Sequence, residues 1–407
     1  MLNLQDLVIK TTQNFCNTMK KIGILTFHRS INYGAFMQSY SLAQQLIKRY
    51  GDVVEIIDFE KASKHNSYHA KQGLIQLMIY GCGKAIMRSR FQEDLRLLPL
   101  SDKTLITDNY DEVLRYINGR YDIVIVGSDA VWAYNKGLGL KNPYWLFGEA
   151  LQCEKFSYAA SAFSLDQSTM TDEDKAYIGS CLKSFSYIGV RDQETENLVK
   201  LCFPEAVVHR NCDPTVLLNK PNIEIAKQVF KKHHLNPNKK LVTIMMGVYE
   251  PVIYEIIHKL GKKDYQFVFL YSYMKVRERF SLSAPQFLYN LSPFEWYHLY
   301  GNSYLNLTTY FHGTLLALKS AVPTITFDTC NVKGSYTSKV QQVMNDMGLS
   351  YYYNSYRNGI KTETILNQVD SIISHHLELE DKIDSNMIKE SKKAESFFKA
   401  LDKSVGI

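Results

Sequence analysis

Short apolar runs, each closed by a loop and followed by a stretch with helical spacing, recur along this chain, and that alternation limits its fold more than any other feature. Lys21-Ile-Gly-Ile-Leu-Thr-Phe27 is the first such run. It is too short for a helix and apolar enough to be covered on both faces, as in a buried strand. A glycine-containing loop follows. Ala35 to Tyr50 then places Leu42, Leu46 and Ile47 at helical spacing, and Val53 to Phe59 reads as a second strand. A strand–helix–strand crossover implies parallel pairing. The pattern resumes with Tyr121-Asp-Ile-Val-Ile-Val126 and predicts further strands at 155–160, 187–190 and 206–209, with helices at 171–184 and 192–201 between them. Asp213-Pro214 marks a boundary, because proline disfavours helix at the residue before it. A second series follows, with strands at 241–246, 266–271, 304–308 and 324–327 and helices near 223–233, 251–260, 293–300 and 313–320. The fold class is therefore α/β, with two open parallel sheets in series and a cleft between them.

The length of 407 residues fits this division. The sequence predicts a first domain over 19–215, a second over 216–370 and a charged helical tail over 371–407. Residues 60–110 read as a helical insertion, with helices around Leu74–Tyr80 and Lys84–Leu97. Met19-Lys20-Lys21, just before the first strand, reads as an alternative start that would leave 1–18 as an appendage. The seven cysteines are odd in number and include no Cys-x-x-Cys pair. They read as reduced thiols, not as a disulfide framework or a zinc ribbon. The run 241–257 is interrupted by Glu250 and Pro251, so no segment reads as a membrane span, and the N-terminal residues do not read as an uninterrupted apolar signal region. The expected location is cytoplasmic. The net charge of +6 comes from scattered lysines, and the basic runs Lys231-Lys232-His233-His234 and Lys262-Lys263 are short. A nucleic-acid surface would concentrate them in a stripe. A mild excess suits an anionic small substrate or a lipid-linked, phosphate-bearing acceptor, the latter implying peripheral contact with a membrane.

In open α/β sheets, ligands bind outside the carboxyl ends of the strands, and four such ends carry chemistry. The loop Phe27-His-Arg-Ser-Ile-Asn32-Tyr33-Gly34 precedes a helix, where a glycine permits close approach and free N–H groups favour anions. It reads equally well as a tight turn. Gly127-Ser128-Asp129-Ala-Val-Trp132 offers a carboxylate suited to a general base, or to a capping role. Trp132 could stack on a sugar, although core packing is the commoner fate of a tryptophan. Arg191, between a strand and a helix, could grip a carboxylate or phosphate with two hydrogen bonds, or pair with the neighbouring Asp192. In Leu307-Thr-Thr-Tyr310-Phe-His312-Gly313, the histidine stands in the first turn of an apolar helix. It could donate to a phosphate there, relay a proton or be structural.

Taken in order, these stretches resemble the polysaccharide pyruvyl transferases. The resemblance is carried by Asn32-Tyr-Gly-Ala-Phe-Met-Gln-Ser-Tyr-Ser-Leu42, Gly127-Ser-Asp-Ala-Val-Trp132, Ser157-Tyr-Ala-Ala-Ser161, Val190-Arg-Asp192, Cys212-Asp-Pro214, Ser292-Pro-Phe-Glu295, and Phe311-His-Gly313 with Ala321-Val-Pro323 after it. It covers roughly residues 20 to 350. It implies two Rossmann-like domains facing a cleft, as in GT-B glycosyltransferases. It also implies transfer of a carboxyethylidene group from phosphoenolpyruvate to two hydroxyls of a sugar or lipid-linked oligosaccharide, forming a ketal in cell-surface polysaccharide synthesis. No metal or organic cofactor is implied. On this resemblance His312 and Asp129 are the catalytic candidates. Arg191, Tyr310, His312 and Gly313 would face the donor, and Asn32, Tyr33, Gly34, Gln38, Ser128 and Trp132 the acceptor.

The chain departs from the family pattern at Tyr310, where arginine is typical. A phenol cannot replace a guanidinium as an anion clamp. Either Arg29, Lys333 or Lys339 substitutes in space, or the donor differs, or transfer has been lost. Two rival functions stand beside the first: a glycosyltransferase with a nucleotide-sugar donor, and a non-catalytic relative that binds glycans or anions.

Overall fold

The computed structural model describes residues 20–69, 83–133, 142–148, 150–162, 167–246, 251–261, 263–270, 286–288, 290–329 and 337–407. The first domain runs β1 (Ile22–Leu25), α1 (Tyr33–Tyr50), β2 (Val54–Ile56), β3 (Phe59–Glu60), α2 (Ala62–His69), α3 (Gly83–Asp94), β4 (Leu105–Ile106), α4 (Tyr110–Ile117), β5 (Ile123–Asp129), β6 (Glu154–Ala160), α5 (Asp172–Leu182), β7 (Phe185–Val190), α6 (Gln193–Cys202) and β8 (Val208–Arg210). The second runs α7 (Ile223–Lys232), β9 (Lys240–Met245), α8 (Val252–Leu260), β10 (Tyr265–Leu270), β11 (Gln286–Leu288), α9 (Pro293–Tyr300), β12 (Ser303–Thr308), α10 (Phe311–Lys319), β13 (Thr324–Asp328), α11 (Lys339–Asp346) and β14 (Tyr353–Ser355). Three helices follow: α12 (Thr362–Ser374), α13 (His376–Ser391) and α14 (Glu395–Val405).

Each domain holds one parallel sheet of six described strands, ordered β2-β1-β5-β6-β7-β8 in the first and β11-β10-β9-β12-β13-β14 in the second. The central strands are mostly apolar and buried except at β9's first residue and β5's last, as parallel strands covered on both faces should be. Their alternation with helices is the one read from the sequence. Beyond it lie β11 and β14, edge strands of three residues each, too short to give a period. The 60–110 segment is not purely helical either. It includes α3, close to the expected 84–97 helix, but also β3 and β4, which pair as a small parallel sheet. The expected helix at 74–80, and residues 1–18, lie outside the described residues.

The two domains share apolar packing. One cluster covers a face of the first sheet, through Ile22, Phe36 and Phe156, and continues into the second domain through Leu241, Trp296 and Leu307. Helix α1 is the main seam. Asn32 caps it, accepting from the N–H groups of Gly34 and Ala35. Phe36 and Tyr40 meet Phe294 edge-on, with ring centres 5.6 and 4.7 Å apart. Gln45 donates to the Leu217 carbonyl from the same helix.

The charged segment beyond 371 folds back on the first domain. Phe397 and Leu401 of α14 are fully buried, and Phe397 packs its ring edge-on against Tyr158 and Phe156. Arg49 pairs with Asp402, whose carboxylate also accepts from the Tyr50 hydroxyl at 2.8 Å. Apolar residues at one helical face hold the segment down, while its charges stand on the other.

Candidate active site

Between the domains lies an open cleft. The first domain lines it with Arg191, Arg210 and Asp213, and the second with Phe311, Lys339 and Gln342, while Glu390 and Lys393 contribute from the end of α13 and just beyond. Arg191 follows β7, Asp213 follows β8, and Phe311 and His312 open α10 directly after β12. The groups therefore stand at the carboxyl ends of strands, where the sheet topology directs ligands.

Asp213 is the hub. Its Oδ2 accepts from Arg191 Nη1 at 2.9 Å and lies 3.6 Å from His312 Nε2. Its Oδ1 accepts from the backbone N–H and hydroxyl of Thr215, at 3.0 and 2.8 Å. Burial opposes ionisation here, but His312 and Arg191 outweigh it and hold the carboxyl well below its ordinary range. Asp129 lies 3.8 Å from Arg191 Nη2. Burial likewise opposes its ionisation, and Arg191, His312 and Lys339 lower it below the usual value. Its backbone sits in the left-handed region, at φ 82°.

Both bases of the cleft keep donors in reserve. Arg191 is 7% exposed and His312 8%. Nevertheless Arg191 Nε and Nη2 and His312 Nε2 make no hydrogen bond in the structure. Buried donors of this kind are costly unless something completes them. The Arg191 guanidinium stacks on the Phe311 ring at 4.6 Å, and the Lys339 ammonium approaches the same ring at 4.9 Å. Burial, and next the Arg191 charge, push the Lys339 amine down to about 8, against the pull of Asp129, Asp192 and Asp213.

The structure thus gathers Arg191, Asp129, His312 and Gly34 of the sequence candidates. Gly34 abuts the imidazole so closely that a Cβ there would come within 2.3 Å of it. Gly313 is pressed against Thr308 and Met245, leaving no room for a side chain. Arg191 pairs with Asp213 and not with its neighbour Asp192, which instead caps α6 and accepts from Ser161 and Thr195. Tyr310 precedes α10 and packs on the shared core. Ser128 is fully buried, its hydroxyl 3.5 Å from Asp213. Gln38 is buried and donates to Thr26, Ala35 and Ser39. Tyr33 donates to the Leu291 carbonyl and packs near Trp296, so it bridges the domains. Trp132 is fully buried and stacked on Trp145 at 5.1 Å, with its indole N–H on the Tyr144 carbonyl, which places it in the core. Asn32 remains exposed.

Of the candidate substitutes for an arginine at 310, Arg29 is spent on a bidentate pair with Asp58, at 2.5 and 2.6 Å. Lys333 lies outside the described residues, and Lys339 reaches the cleft. The sequence marks Asp213 as a boundary and, within Cys212-Asp-Pro214, as part of the family resemblance, but neither it nor Phe311 stood among the expected site residues. The run Asp-Pro directly after a strand was the available signal for Asp213. Among the described residues no group of His, Cys, Asp and Glu side chains could hold a metal ion, and no helix is long and apolar enough to cross a membrane.

No curated protein matches the chain. Among solved structures, it resembles a UDP-GlcNAc 2-epimerase from Neisseria meningitidis bound to UDP-GlcNAc, with TM-score 0.56 and 11% identity over 94% of this chain and 99% of that one. A glycosyltransferase from Rickettsia africae gives TM-score 0.54 and 12% identity, over 95% and 98%. These likenesses establish the GT-B-like fold of two Rossmann-like domains. The family model for polysaccharide pyruvyl transferases matches residues 32–331, which reach into both domains and include Arg191, Asp213, Phe311 and His312, but not α11 or the C-terminal helices. The chain belongs to the polysaccharide pyruvyl transferase family.

Proposed function

We propose that this protein transfers a carboxyethylidene group from phosphoenolpyruvate to two hydroxyls of a sugar, free or lipid-linked, in the synthesis of a surface polysaccharide. One observation carries the reading: Arg191, lining the cleft from the first domain, and His312, from the second and 3.6 Å from the same Asp213 carboxylate, both keep buried nitrogens that make no hydrogen bond. Phosphoenolpyruvate has a carboxylate and a phosphate, and needs donors on two sides.

The chemistry needs few groups. The methylene carbon takes a proton and becomes a methyl, which makes C2 electrophilic. One sugar hydroxyl adds to C2 and loses its proton. The second hydroxyl then displaces phosphate, which leaves as hydrogen phosphate with the remaining proton. His312 is our candidate for delivering protons to the donor. Asp129, kept ionised by its cationic neighbours, is our candidate for receiving the hydroxyl proton. Asp213 orients both Arg191 and His312. Of the residues expected on the acceptor side, Asn32 is the exposed one, so we place the acceptor at the mouth of the loop before α1.

Calorimetric titration with phosphoenolpyruvate tests the reading. Saturable binding is expected, weakened by His312→Ala and by Arg191→Gln in variants whose circular dichroism matches the parent. A folded protein that binds no phosphoenolpyruvate, with or without candidate sugars, would overturn it.

A further inference from the structure

We propose that Lys339 is the anion-binding cation of the second domain, seating one anionic group of the donor against Arg191 beside the Phe311 ring. This rests on the reading of the cleft as a phosphoenolpyruvate site. Lys339 lies outside the family match, which ends at 331, and is carried into the cleft by its own support. Ser338 caps α11 and donates to the Asp328 carboxylate at the end of β13, and the Tyr353 hydroxyl donates to the same carboxylate at 2.9 Å. From the same helix, Gln342 accepts from the Gln193 N–H of the first domain at 3.3 Å, which ties α11 to the Arg191 loop.

The position is unfavourable for a lysine on local grounds. It opens α11, where the helix dipole favours an anion and disfavours a cation. It also shares one aromatic ring with Arg191, a like charge. Asp129 and Asp213 face the two cations, and Asp192 is committed to Ser161 and Thr195. Asp346 and Glu390, further along the cleft, are both engaged by Lys393, and Arg210 pairs with Glu196. The third base, His312, shares Asp213 with Arg191. An incoming anion relieves the repulsion and completes the unpartnered Arg191 nitrogens.

Burial, and next Arg191, bring the Lys339 amine to about 8. The seat is therefore charged below that pH and loses its charge above it, so anion affinity is full on the acid side and falls as pH rises through about 8. Titrations with phosphoenolpyruvate and, separately, with inorganic phosphate, from about pH 6.5 to about pH 9.5, examine this in the full chain. Lys339→Met is expected to weaken binding by about 10- to 100-fold near neutrality and to remove the alkaline fall. Lys339→Arg is expected to keep the affinity and carry it past pH 9 without a fall, which a merely structural lysine would not do. Unchanged phosphoenolpyruvate binding in Lys339→Met, with the alkaline fall intact, would overturn this assignment and leave the donor reading standing. Phosphate binding that depends on Lys339, with phosphoenolpyruvate no tighter than phosphate, would keep the seat and remove the donor reading. Binding of neither ligand would remove both.

Discussion

Gly34 of the first domain and His312 of the second are in direct contact: a Cβ built on residue 34 would fall 2.3 Å from the imidazole Cγ and Nδ1. No side-chain atom can enter without moving the ring or parting the domains. Alanine is the better helix former at this first-turn position, so any loss on substitution comes from the contact alone. Gly34→Ala is expected to destabilise the protein by roughly 1–3 kcal/mol and to impair phosphoenolpyruvate binding through a displaced His312. Thermal melting and calorimetry check the two effects. A variant as stable and as competent as the parent would show that the imidazole is free to move.

Asp213 is buried against Arg191 and His312, and removing its charge strands both. Asp213→Asn keeps the shape and the Thr215 contacts but leaves a buried guanidinium unbalanced, at a cost of about 3–5 kcal/mol. The pH dependence follows from the lowered carboxyl. Its stabilising contribution is present above the unfolded carboxyl's value, near ~3.9, and is lost as pH falls toward the lower native one. Melting curves of parent and variant should converge on acidification.

Asp94, at the end of α3, behaves in the opposite sense. One of its carboxylate oxygens is buried without a hydrogen-bond partner, 3.8 Å from Arg90 Nε. Burial raises this carboxyl to about 6, beyond what Arg90 recovers. Ionising it costs stability as pH rises from ~4 through about 6. Asp94→Asn is therefore expected to stabilise the protein at neutral pH, on the order of 1–2 kcal/mol, with no gain below ~pH 4. Chemical denaturation at two pH values measures the difference.

Trp132 is expected to matter for stability and not for sugar recognition. It is fully buried and sandwiched with Trp145. Trp132→Ala should cost about 3–5 kcal/mol while phosphoenolpyruvate affinity, measured well below the melting point, stays at the parent value. Selective loss of acceptor turnover in a variant of unchanged stability would reverse this placement.

The strands and helices were legible because a parallel strand buried on both faces leaves a continuous apolar run, as in 121–126, and its helices leave a 3.6-residue period. Local chemistry also marked the ends, as with Ser292-Pro-Phe-Glu295, a capping box with proline in the first turn. The site was legible as a set of strand ends, and Arg191, Asp129 and His312 do converge. What the sequence could not show is pairing across the domains. Asp213 of the first domain and His312 of the second, whose Nε2 lies 3.6 Å from the carboxylate, are joined by no period. Nor could it separate Trp132 from a sugar platform, since the difference is whether Trp145 covers its face. The docking of α14 escaped for the same reason: Phe397 and Leu401 look like the narrow face of a charged helix until Tyr158 and Phe156 are placed beneath them.

That docking has a mechanical consequence. The chain passes from the first domain to the second near Pro214 and returns near Lys393, whose carbonyl accepts from the Asn211 side chain at 2.9 Å. The two passages therefore run side by side at one edge of the cleft. Two bodies joined by a pair of adjacent straps cannot twist or slide freely. With the apolar seam along α1, the straps fix the register in which Arg191 on one side of the cleft meets His312 on the other.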